Sequence, residues 1–374
     1  MELTDEQAAV RDVVREFARE EIRPTALEAD RNQEFPEDVW DGLAELDLTS
    51  LTVPEAYGGY NADPVTAAVV NEEVAYGALA VATALSVHSL ATSCIAEFGS
   101  EELKERWLPD MAEGRPVGAF ALSEPHAGSN PAEMSTEARK EGDEYVINGE
   151  KQWITNGKRA GVYVLFAKTD RNDPETVTQF LVPGDVDGLS VGEKEDKLGL
   201  RASDTTSLTF DDVRIQAENR LTEEGRGLSA AFHILTGGRI AIAAQSVGLA
   251  QCAMDEALEY SQEREQFDQP IGDFQSIRHK LAEMATRIKA SRLLTREAAR
   301  ERASGSAGLT ASMAKYFASE TAMHVTNEAV QIHGGYGYVT EGEVERLYRD
   351  AKITEIYEGT TEIQKKVIAR HLLD

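Results

Sequence analysis

A glutamate followed by a glycine and two threonines, close to the end of the chain, has residue types suited to acid–base chemistry. In the order Glu358, Gly359, Thr360 and Thr361, the glycine permits a sharp turn and the close approach of another molecule. Thr361 with Gln364 fits the S/T-x-x-E/Q capping box at the start of a helix. A carboxylate on such a bend suits a general base, because a fixed position and a dry environment raise its pKa. The same residues also fit an ordinary capped helix with a solvated glutamate.

The composition is that of a soluble globular protein with a large excess of acidic residues. The 374 residues include 38 Lys and Arg and 66 Asp and Glu, for a formal net charge of −28, and 41% are hydrophobic. Because so acidic a chain repels nucleic acid and anionic membranes, neither is expected as a partner. Acid spread along the whole chain also leads to the hypothesis of a halophilic source, since high salt screens the self-repulsion.

The cysteines and the first residues of the chain predict a cytoplasmic protein without a metal site. Cys94 and Cys252 both lie in apolar helical contexts, so a disulfide framework is not expected. No histidine stands at zinc-ligand spacing from them. The first residues are acidic and polar, unlike a signal peptide, and no apolar run reaches about 18 residues.

The hydrophobic period changes twice along the chain and divides it into three predicted domains. Residues 1–115 have helical spacing, residues 116–226 have short strand-like runs, and residues 227–374 return to long helices. The predicted fold class is α+β, mostly α, with an N-terminal helical domain, a middle β-barrel-like domain and a C-terminal four-helix bundle. No G-x-G-x-x-G motif opens a helix, so a Rossmann domain is disfavoured.

Individual elements follow from the same periods. Helices are predicted over residues 4–20, 43–51, 67–76, 80–98, 229–261, 274–303, 309–333 and 361–373. Strands are predicted over residues 120–123, 144–147, 162–167, 177–182 and 206–210. Thr4 and Gln7 fit a capping box at the first helix, and Asn148-Gly149 predicts a hairpin turn.

Eight segments, taken in order, resemble the acyl-CoA dehydrogenase family over essentially the whole chain. They are residues 120–125 with 128–129, 149–157, 197–199, 238–239, 263–267 with 274–275, 331–338, 348–352 and 356–364. Any one of them alone is weak, but all eight stand in the family's order at compatible spacings. The resemblance implies the three-domain fold already predicted, FAD as the cofactor and an electron-transfer flavoprotein as the electron acceptor.

The reaction that the resemblance implies is the conversion of an acyl-CoA to the trans-2-enoyl-CoA. It needs a base, an oxyanion stabiliser and a hydride acceptor, and because no protein side chain accepts a hydride, FAD takes that role. Glu358 matches the family's base, and its backbone N–H matches part of the oxyanion site. In some members, the isovaleryl type among them, the base instead precedes the arginine of an earlier bundle helix. Here that position is Gly238, which has no side chain.

The resemblance also implies a set of flavin contacts in the middle domain: Phe120, Leu122, Ser123, Ser129, Trp153, Ile154 and Thr155. Trp153 would place its indole against the flavin, and Ser129 would line FAD or the CoA arm. Asn130 stands where the family usually has Asp, which puts any role of that carboxylate in doubt. From the residues alone, Trp153 also fits core packing and the stretch from Phe120 to Ser129 fits a strand and a turn.

A second set matches segments that reach the pyrophosphate and adenosine half of FAD from a neighbouring subunit: Arg264, Phe267, Gln275, Gln331, Gly334 and Gly335. A guanidinium and exposed backbone N–H groups suit a diphosphate. Further FAD contacts match Thr360, Thr361 and Glu362, and the substrate side matches Ser129, Arg239 and Gly359. From the residues alone, Arg264 also fits a helix-end salt bridge, and the two glycines also fit a helix cap.

Residues 86–90 and their flanking helices are most similar to short-chain or branched short-chain members of the family. The resemblance therefore implies a homotetramer that acts in fatty acid β-oxidation or branched-chain amino acid degradation. Two alternatives remain open. One is an acyl-CoA oxidase of the same fold that gives electrons to oxygen, although such oxidases usually carry extra C-terminal length. The other is a non-catalytic acyl-CoA-binding protein, against which an intact Glu358 argues.

Overall fold

Six helices form the N-terminal part of the computed structural model, which describes residues 2–373: α1 (Asp5–Phe17), α2 (Arg23–Asn32), α3 (Glu37–Glu45), α4 (Pro64–Gly77), α5 (Leu79–Phe98) and α6 (Glu101–Ala112). A π turn over Ala18–Ile22 joins α1 to α2. The predicted capping box of α1 is confirmed, because the Thr4 hydroxyl accepts from the Gln7 amide at 3.2 Å and the Gln7 side chain accepts from the Thr4 amide at 3.1 Å.

Helix α3 lies earlier in the chain than predicted. It follows Pro36 and ends at Glu45, whereas the prediction covered residues 43–51. Asp47 adopts a left-handed φ of +58°, which a continuing α-helix cannot contain. The prediction for residues 46–51 is wrong, because the apolar residues Leu48 and Leu51 are buried in turns, where their spacing only resembles a helical period.

Seven strands follow and form one sheet: β1 (Val117–Ala121), β2 (Glu137–Glu141), β3 (Glu144–Thr155), β4 (Ala160–Lys168), β5 (Val177–Pro183), β6 (Leu189–Val191) and β7 (Thr205–Gln216). The order is β1-β4-β2-β3-β7-β6, and β5 pairs with β4. β1 is parallel to β4, whereas β3 pairs antiparallel with both β2 and β7. Strand β4 is buried from Val162 to Lys168, because β1 and β5 both pair with it.

The predicted hairpin turn at Asn148-Gly149 is wrong. The turn between β2 and β3 lies at Gly142, which has a φ of +64°. Asn148 and Gly149 lie inside β3, where the register with β7 shifts by a β-bulge. A Cβ placed at Gly149 would stand 2.5 Å from the Thr136 hydroxyl, so the glycine permits the close approach of the segment before β2 and not a chain reversal.

Helices return after β7: α7 (Gly227–Glu263), α8 (Gln275–Ala303), α9 (Gly308–His333), α10 (Glu343–Ala351) and α11 (Thr361–Leu373), with a hairpin of β8 (Glu265–Gln266) and β9 (Gln269–Pro270) between α7 and α8. Helix α9 packs against α7, α8 and α11, which makes the predicted four-helix bundle. The short α10, which was not predicted, packs against α7 and α9. The predicted α+β class with mostly helical structure is confirmed.

Helices α5 and α7 are long and apolar enough to cross a membrane by length and composition alone, with mean hydropathy of 1.6 and 1.2 over an 18-residue window. In the fold, 78% of that window in α5 and 50% in α7 is buried. Packing against other elements therefore accounts for their apolar composition, as it does for the core helices of globular proteins.

The N-terminal helices meet the C-terminal bundle where α4 crosses α7. A Cβ placed at Gly248 would stand 1.9 Å from the carbonyl oxygen of Glu72, so glycine permits this approach. Beside the crossing, the Gln245 side chain donates to Asn71 Oδ1 at 2.8 Å and to the Ala82 carbonyl at 3.1 Å. These contacts fix α7 relative to α4 and α5.

Candidate active site

The predicted base, Glu358, lies on a left-handed turn between α10 and α11. Its φ is +53°, and that of Gly359 is +90°. Glycine adopts such a conformation freely, whereas a strained non-glycine residue costs roughly 1–3 kcal/mol. The surrounding contacts must therefore hold Glu358 in place.

Two fully buried side chains hold the carbonyl oxygens of this turn. Lys315 Nζ, from α9, donates to the Gly359 oxygen at 2.8 Å. Gln364 Nε2, from the first turn of α11, donates to the oxygens of Gly359 at 2.9 Å and Glu358 at 3.2 Å. Sequence reasoning missed both roles. The signal for Lys315 is a charged residue among the alanines of the buried face of α9.

The helix after the turn is capped one residue earlier than predicted. The Thr360 hydroxyl accepts from the Ile363 amide at 3.4 Å, and the Thr360 carbonyl accepts from the Gln364 amide at 2.9 Å. Thr361 instead donates to the Glu355 carbonyl at 3.4 Å. The predicted Thr361–Gln364 capping box is therefore wrong, because the Gln364 side chain bonds back to the turn.

The Glu358 residue is half-buried, yet its Oε2 atom is buried and has no hydrogen-bond partner among residues 2–373. A Cβ placed at Gly238 would stand 2.6 Å from Oε2 and 3.5 Å from Leu90 Cδ2. Burial raises the pKa of Glu358 to about 7, although Arg239 and Lys315 favour the charged form. A carboxyl with this pKa is suited to proton transfer near neutral pH.

Arg239 follows Gly238 on α7 and acts on the Glu358 carboxylate as a nearby cation. The side chain is half-buried, and its Nε is buried without a partner in the described part of the chain. Burial lowers the pKa of Arg239 and the charge of Glu358 opposes the shift, so the guanidinium stays protonated at neutral pH. The structure thus places Arg239 beside the base, and its contact with a substrate remains a prediction.

Tyr357 anchors the inner side of the same turn. Its hydroxyl donates to Gln245 Oε1 at 3.5 Å and lies 3.4 Å from the Thr83 hydroxyl. Burial raises the pKa of Tyr357, so the phenol is neutral. Because Gln245 is bonded to α4 and α5, the turn is tied to the N-terminal helices as well as to the bundle.

The predicted flavin contacts of the middle domain meet where β1 and β3 end. The Gln152 amide donates to the Ser123 carbonyl at 3.0 Å, which joins the segment after β1 to β3. The register of β3 with β7 shifts between Lys151 and Ile154, and at this irregularity Trp153 has a φ of +64°. Trp153 is 60% exposed, so the core-packing alternative for it is wrong.

A buried ion pair that was not predicted braces this edge of the sheet. Lys151 Nζ donates to Glu124 Oε1 at 2.8 Å and to the Leu122 carbonyl at 3.1 Å, and both charged side chains are fully buried. Glu124 also accepts from the amides and hydroxyls of Ser135 and Thr136. Burial opposes ionisation of Glu124, but Lys151 and these donors together lower its pKa to about 2. The main chain after β1 is therefore rigidly placed.

An apolar cluster connects these strand ends to the base. It contains Leu122, Leu90 from α5 and Ile234 from α7, with Phe120 packed against it. Leu90 also faces the Cβ position of Gly238, where the Glu358 carboxylate lies. The predicted flavin contacts and the base therefore border the same region of the fold.

The remaining predicted contacts of the middle domain differ in burial. Ile154 is 2% exposed, Thr155 is half-buried, and Ser129 is exposed on the turn after β1. A Cβ placed at the neighbouring Gly128 would meet nothing within 4 Å. An exposed indole and an open glycine turn are features that suit the binding of a planar ring system with a polar arm.

The second predicted set lies at the opposite end of the bundle: Arg264, Phe267, Gln275, Gln331, Gly334 and Gly335. The ends of α7 and α9 that carry these residues meet, since the Tyr260 and His333 rings stack with centroids 4.3 Å apart. Phe267 is 86% exposed. Gly334 caps α9, because its amide donates to the carbonyls of the last turn, so the capping alternative is correct for this glycine.

One chain does not bring this second set to Glu358. Gln331 lies 16 residues beyond Lys315 on α9, which corresponds to about 24 Å along the helix axis. Thr360, Thr361 and Glu362, in contrast, directly follow the turn of Glu358 and Gly359 at the start of α11. No group of three or more His, Cys, Asp or Glu that could hold a metal ion occurs in the described residues.

Comparison with known proteins accounts for this arrangement. The chain matches the N-terminal domain of acyl-CoA dehydrogenases over residues 4–115, the middle domain over 119–213 and the C-terminal domain over 225–373. An acyl-CoA dehydrogenase of Bacillus subtilis (strain 168) is 44% identical over 376 residues, covering 100% of this chain and 99% of that protein. The mitochondrial short-chain specific acyl-CoA dehydrogenase of Rattus norvegicus is 44% identical over 376 residues, covering 100% and 91%.

Solved structures agree with these relatives. Butyryl-CoA dehydrogenase from Megasphaera elsdenii superposes with a TM-score of 0.97 at 41% identity, covering 100% of both chains. A chain in the structure of the electron transferring flavoprotein of Acidaminococcus fermentans gives 0.97 at 40% identity, covering 100% of this chain and 99% of that one. An acyl-CoA dehydrogenase from Bacillus anthracis complexed with FAD gives 0.94 at 34% identity, covering 100% and 67%. With all three domains matched in order, the chain belongs to the acyl-CoA dehydrogenase family, FAD-dependent oxidoreductases that act on a CH–CH group.

Proposed function

We propose that the protein is an FAD-dependent acyl-CoA dehydrogenase that converts a short-chain acyl-CoA to the trans-2-enoyl-CoA, with Glu358 as the base. The observation that carries this proposal is the buried Oε2 of Glu358, which lies against Gly238 without a hydrogen-bond partner among the described residues. An ordinary solvated glutamate at a helix start does not bury that oxygen. A buried carboxyl with a pKa of about 7 is the group needed to remove a proton next to a thioester carbonyl.

The charges around the turn suit both protonation states of Glu358. Before reaction, Arg239 and Lys315 favour the ionised carboxylate that accepts the proton. After transfer of the α-proton, the neutral carboxyl is the form that burial favours. The backbone N–H of Glu358, held by the same turn, would donate to the oxyanion that develops on the thioester oxygen. FAD, when bound, supplies the hydride acceptor that no protein side chain provides.

We infer that the flavin half of the cofactor lies over the edge of the sheet, against Phe120, Leu122, Ser123, Ser129, Trp153, Ile154 and Thr155. The exposed ring of Trp153 and the open space at Gly128 support this placement. Thr360, Thr361 and Glu362 would contribute polar groups from the start of α11. The acyl-CoA would then lie between the flavin and Glu358, with Ser129, Arg239 and Gly359 on its path.

We also propose that the adenosine half of FAD reaches the second set of residues on a neighbouring subunit of a homotetramer. The distance along α9 supports this, because one chain separates Gln331 from the catalytic turn by about 24 Å. Exposed aromatic rings near the same helix ends, Phe267 at 86%, Tyr336 at 64% and Tyr338 at 85%, are a surface that a second subunit would cover.

The names of the relatives support the rest of the proposed role. Short-chain and butyryl-CoA dehydrogenases among them favour a short acyl chain, and a branched short chain is the second choice. The neighbour in a structure of an electron transferring flavoprotein favours such a flavoprotein as the acceptor. We propose β-oxidation in the cytoplasm as the setting.

One experiment tests both substrate and base. Under anaerobic conditions, butyryl-CoA should bleach the bound flavin, while long-chain acyl-CoAs should do so weakly. The Glu358→Gln variant should keep its flavin but lose bleaching by at least about 10²-fold, because the amide cannot take the proton. Normal bleaching by Glu358→Gln would overturn the assignment of the base. Peroxide formed in air at the rate of turnover would point instead to an acyl-CoA oxidase.

A further inference from the structure

Lys315 is a fully buried lysine whose ammonium group contacts the main chain of the catalytic turn. It lies on α9 among buried alanines at helical spacing, and its Nζ donates to the Gly359 oxygen at 2.8 Å. Burying an ammonium group costs several kcal/mol of desolvation unless the charge is compensated. In the proposed reaction the charges of Arg239 and Lys315 favour the ionised Glu358, but the direct bond from Lys315 to the main chain of the turn has no role there, so it calls for a separate explanation.

The charged groups that face Lys315 and Glu358 come from every element around the turn. Arg239 approaches from α7, Glu355 from the segment before the turn and Glu362 from α11, in addition to Glu358 itself. Arg239 and Lys315 are the two cations that act on the Glu358 carboxylate. Arg239 has the larger effect on Glu358, and Lys315 the smaller. Burial lowers the pKa of Lys315 to about 8, so its amine is still mostly protonated at neutral pH.

The second side chain on the turn, Gln364, separates two effects that Lys315 combines. Gln364 donates to the same Gly359 oxygen at 2.9 Å, but its amide carries no charge. A neutral donor can hold the turn geometrically. Only a cation can hold the turn and also lower the energy of the neighbouring carboxylate.

We propose that Lys315 is a positioning residue for the base: its ammonium fixes the Glu358–Gly359 turn and keeps the carboxylate ionised enough to accept the substrate proton. The inference rests on the proposed function, in which Glu358 is the base. Lys315 bonds to the main chain of the turn and would act on the reaction through Glu358.

Two variants of the flavin-loaded enzyme separate the effect of the Lys315 charge from that of its hydrogen bond to the turn. Lys315→Gln removes the charge but retains an N–H donor, on a side chain one bond shorter, whereas Lys315→Met removes both the charge and the donor. Lys365→Met is the control, because Lys365 is an exposed lysine of α11 that bonds to Glu320 at 3.4 Å and not to the main chain of the turn. Melting temperature and flavin retention are measured for each variant first.

The decisive readout is the pH midpoint of Glu358 ionisation, followed without turnover by infrared difference spectroscopy. The carboxylic C=O band of Glu358 is the one missing in Glu358→Gln. Both Lys315 variants should raise this midpoint, and the acidic limb of kcat, by about one pH unit. Lys315→Met should also lower kcat at high pH by about 10²-fold with little change in KM, because the turn is released. Lys365→Met should change neither.

An unchanged midpoint in both Lys315 variants would overturn the proposal, and so would a loss of flavin and fold in both without any shift. If only Lys315→Met fails to fold, Lys315→Gln decides by its midpoint. The outcome for Glu358→Gln stands apart. If that variant turns over normally, the proposed function fails, whereas an inactive Glu358→Gln with an unshifted midpoint in the lysine variants overturns this inference alone.

Discussion

The Oε2 atom of Glu358 occupies the space that a side chain at Gly238 would need, since a Cβ built at residue 238 stands 2.6 Å from that oxygen. The two residues are 120 positions apart and come from α7 and from the turn before α11. Glycine at position 238 therefore has a second consequence, besides leaving that position without a carboxylate that could serve as the base. It gives the carboxylate of Glu358 room to reach its buried position beside Arg239.

Gly238→Ala should disable the base without unfolding the protein. The added Cβ meets the end of a flexible side chain, so the carboxylate moves while the helix accepts the alanine. A displacement of about 1 Å is expected to lower kcat by about 10²-fold, with flavin content and melting temperature retained. Steady-state kinetics with butyryl-CoA and thermal melting measure both.

The neighbouring glycine provides the control for this variant. A Cβ at Gly237 would meet nothing within 4 Å, so Gly237→Ala should leave kcat unchanged. Equal activities of the two alanine variants would contradict the proposed geometry of the base.

Arg264→Ala should loosen FAD and leave the chemical step intact once flavin is restored. The residue is exposed at the end of α7, where a guanidinium suits a diphosphate from a second chain. Gel filtration at low protein concentration should show partial loss of the flavin absorbance. The control is Arg278→Ala, which removes an exposed arginine of α8 that pairs with Asp273 at 2.5 Å. This variant should retain the flavin absorbance. Full retention by both variants would remove Arg264 from the cofactor site.

His88 should make the protein acid-sensitive. The ring is fully buried, accepts from the Gly118 amide at 3.0 Å and, as the Nε2–H tautomer, donates to the Met111 carbonyl at 3.1 Å. Burial lowers the pKa of His88 to about 4, below the value of about 6.5 in an unfolded chain. The neutral ring is favoured in the folded state, so its stabilisation is complete above pH 6.5 and is lost as pH falls towards 4, by about 3 kcal/mol.

The difference between the wild type and His88→Gln isolates this contribution. Urea unfolding between pH 7 and pH 4 should show a steeper loss of the free energy of unfolding in the wild type. His279→Gln removes an exposed histidine and should follow the wild type. Parallel pH curves for the wild type and His88→Gln would show that the ring does not titrate in this range.

Salt should stabilise the fold if the acidic surface reflects a halophilic source. With a net charge of −28, self-repulsion acts against the compact state, and the Debye length falls from about 10 Å at 0.1 M to about 3 Å at 1 M. The melting temperature should therefore rise as KCl increases over that range. A melting temperature that is already maximal in dilute buffer would contradict the hypothesis.

Local patterns predicted elements well where the residues themselves make the contact. The capping box at Thr4 is confirmed because both of its hydrogen bonds join residues three positions apart. The same pattern at Thr361 does not form a capping box, because the Gln364 side-chain amide donates instead to the carbonyl oxygens of Glu358 and Gly359. Asn148-Gly149 was likewise misread, because β7 and the Thr136 segment, distant in sequence, convert a turn signal into a bulge.

The site was only partly predictable for the same reason. Glu358 and Arg239 could be named from their motifs, and the structure places them together. Lys315, Gln364 and the Glu124–Lys151 pair could not, because each acts on a main-chain segment that only the tertiary fold brings near. In a sequence, a charged residue within an apolar helical stripe indicates that the residue has a structural or functional role. The sequence does not show which main-chain segment it contacts.

The shared space at Gly238 also constrains how this site can evolve. A glutamate introduced at position 238 alone would force two carboxylates into one volume, whereas loss of Glu358 alone would remove the proposed base. Moving the proposed base from position 358 to position 238 would therefore require paired substitutions. With this backbone, either single substitution is expected to give a less active enzyme, so descendants of this protein are expected to keep glutamate at 358 and glycine at 238.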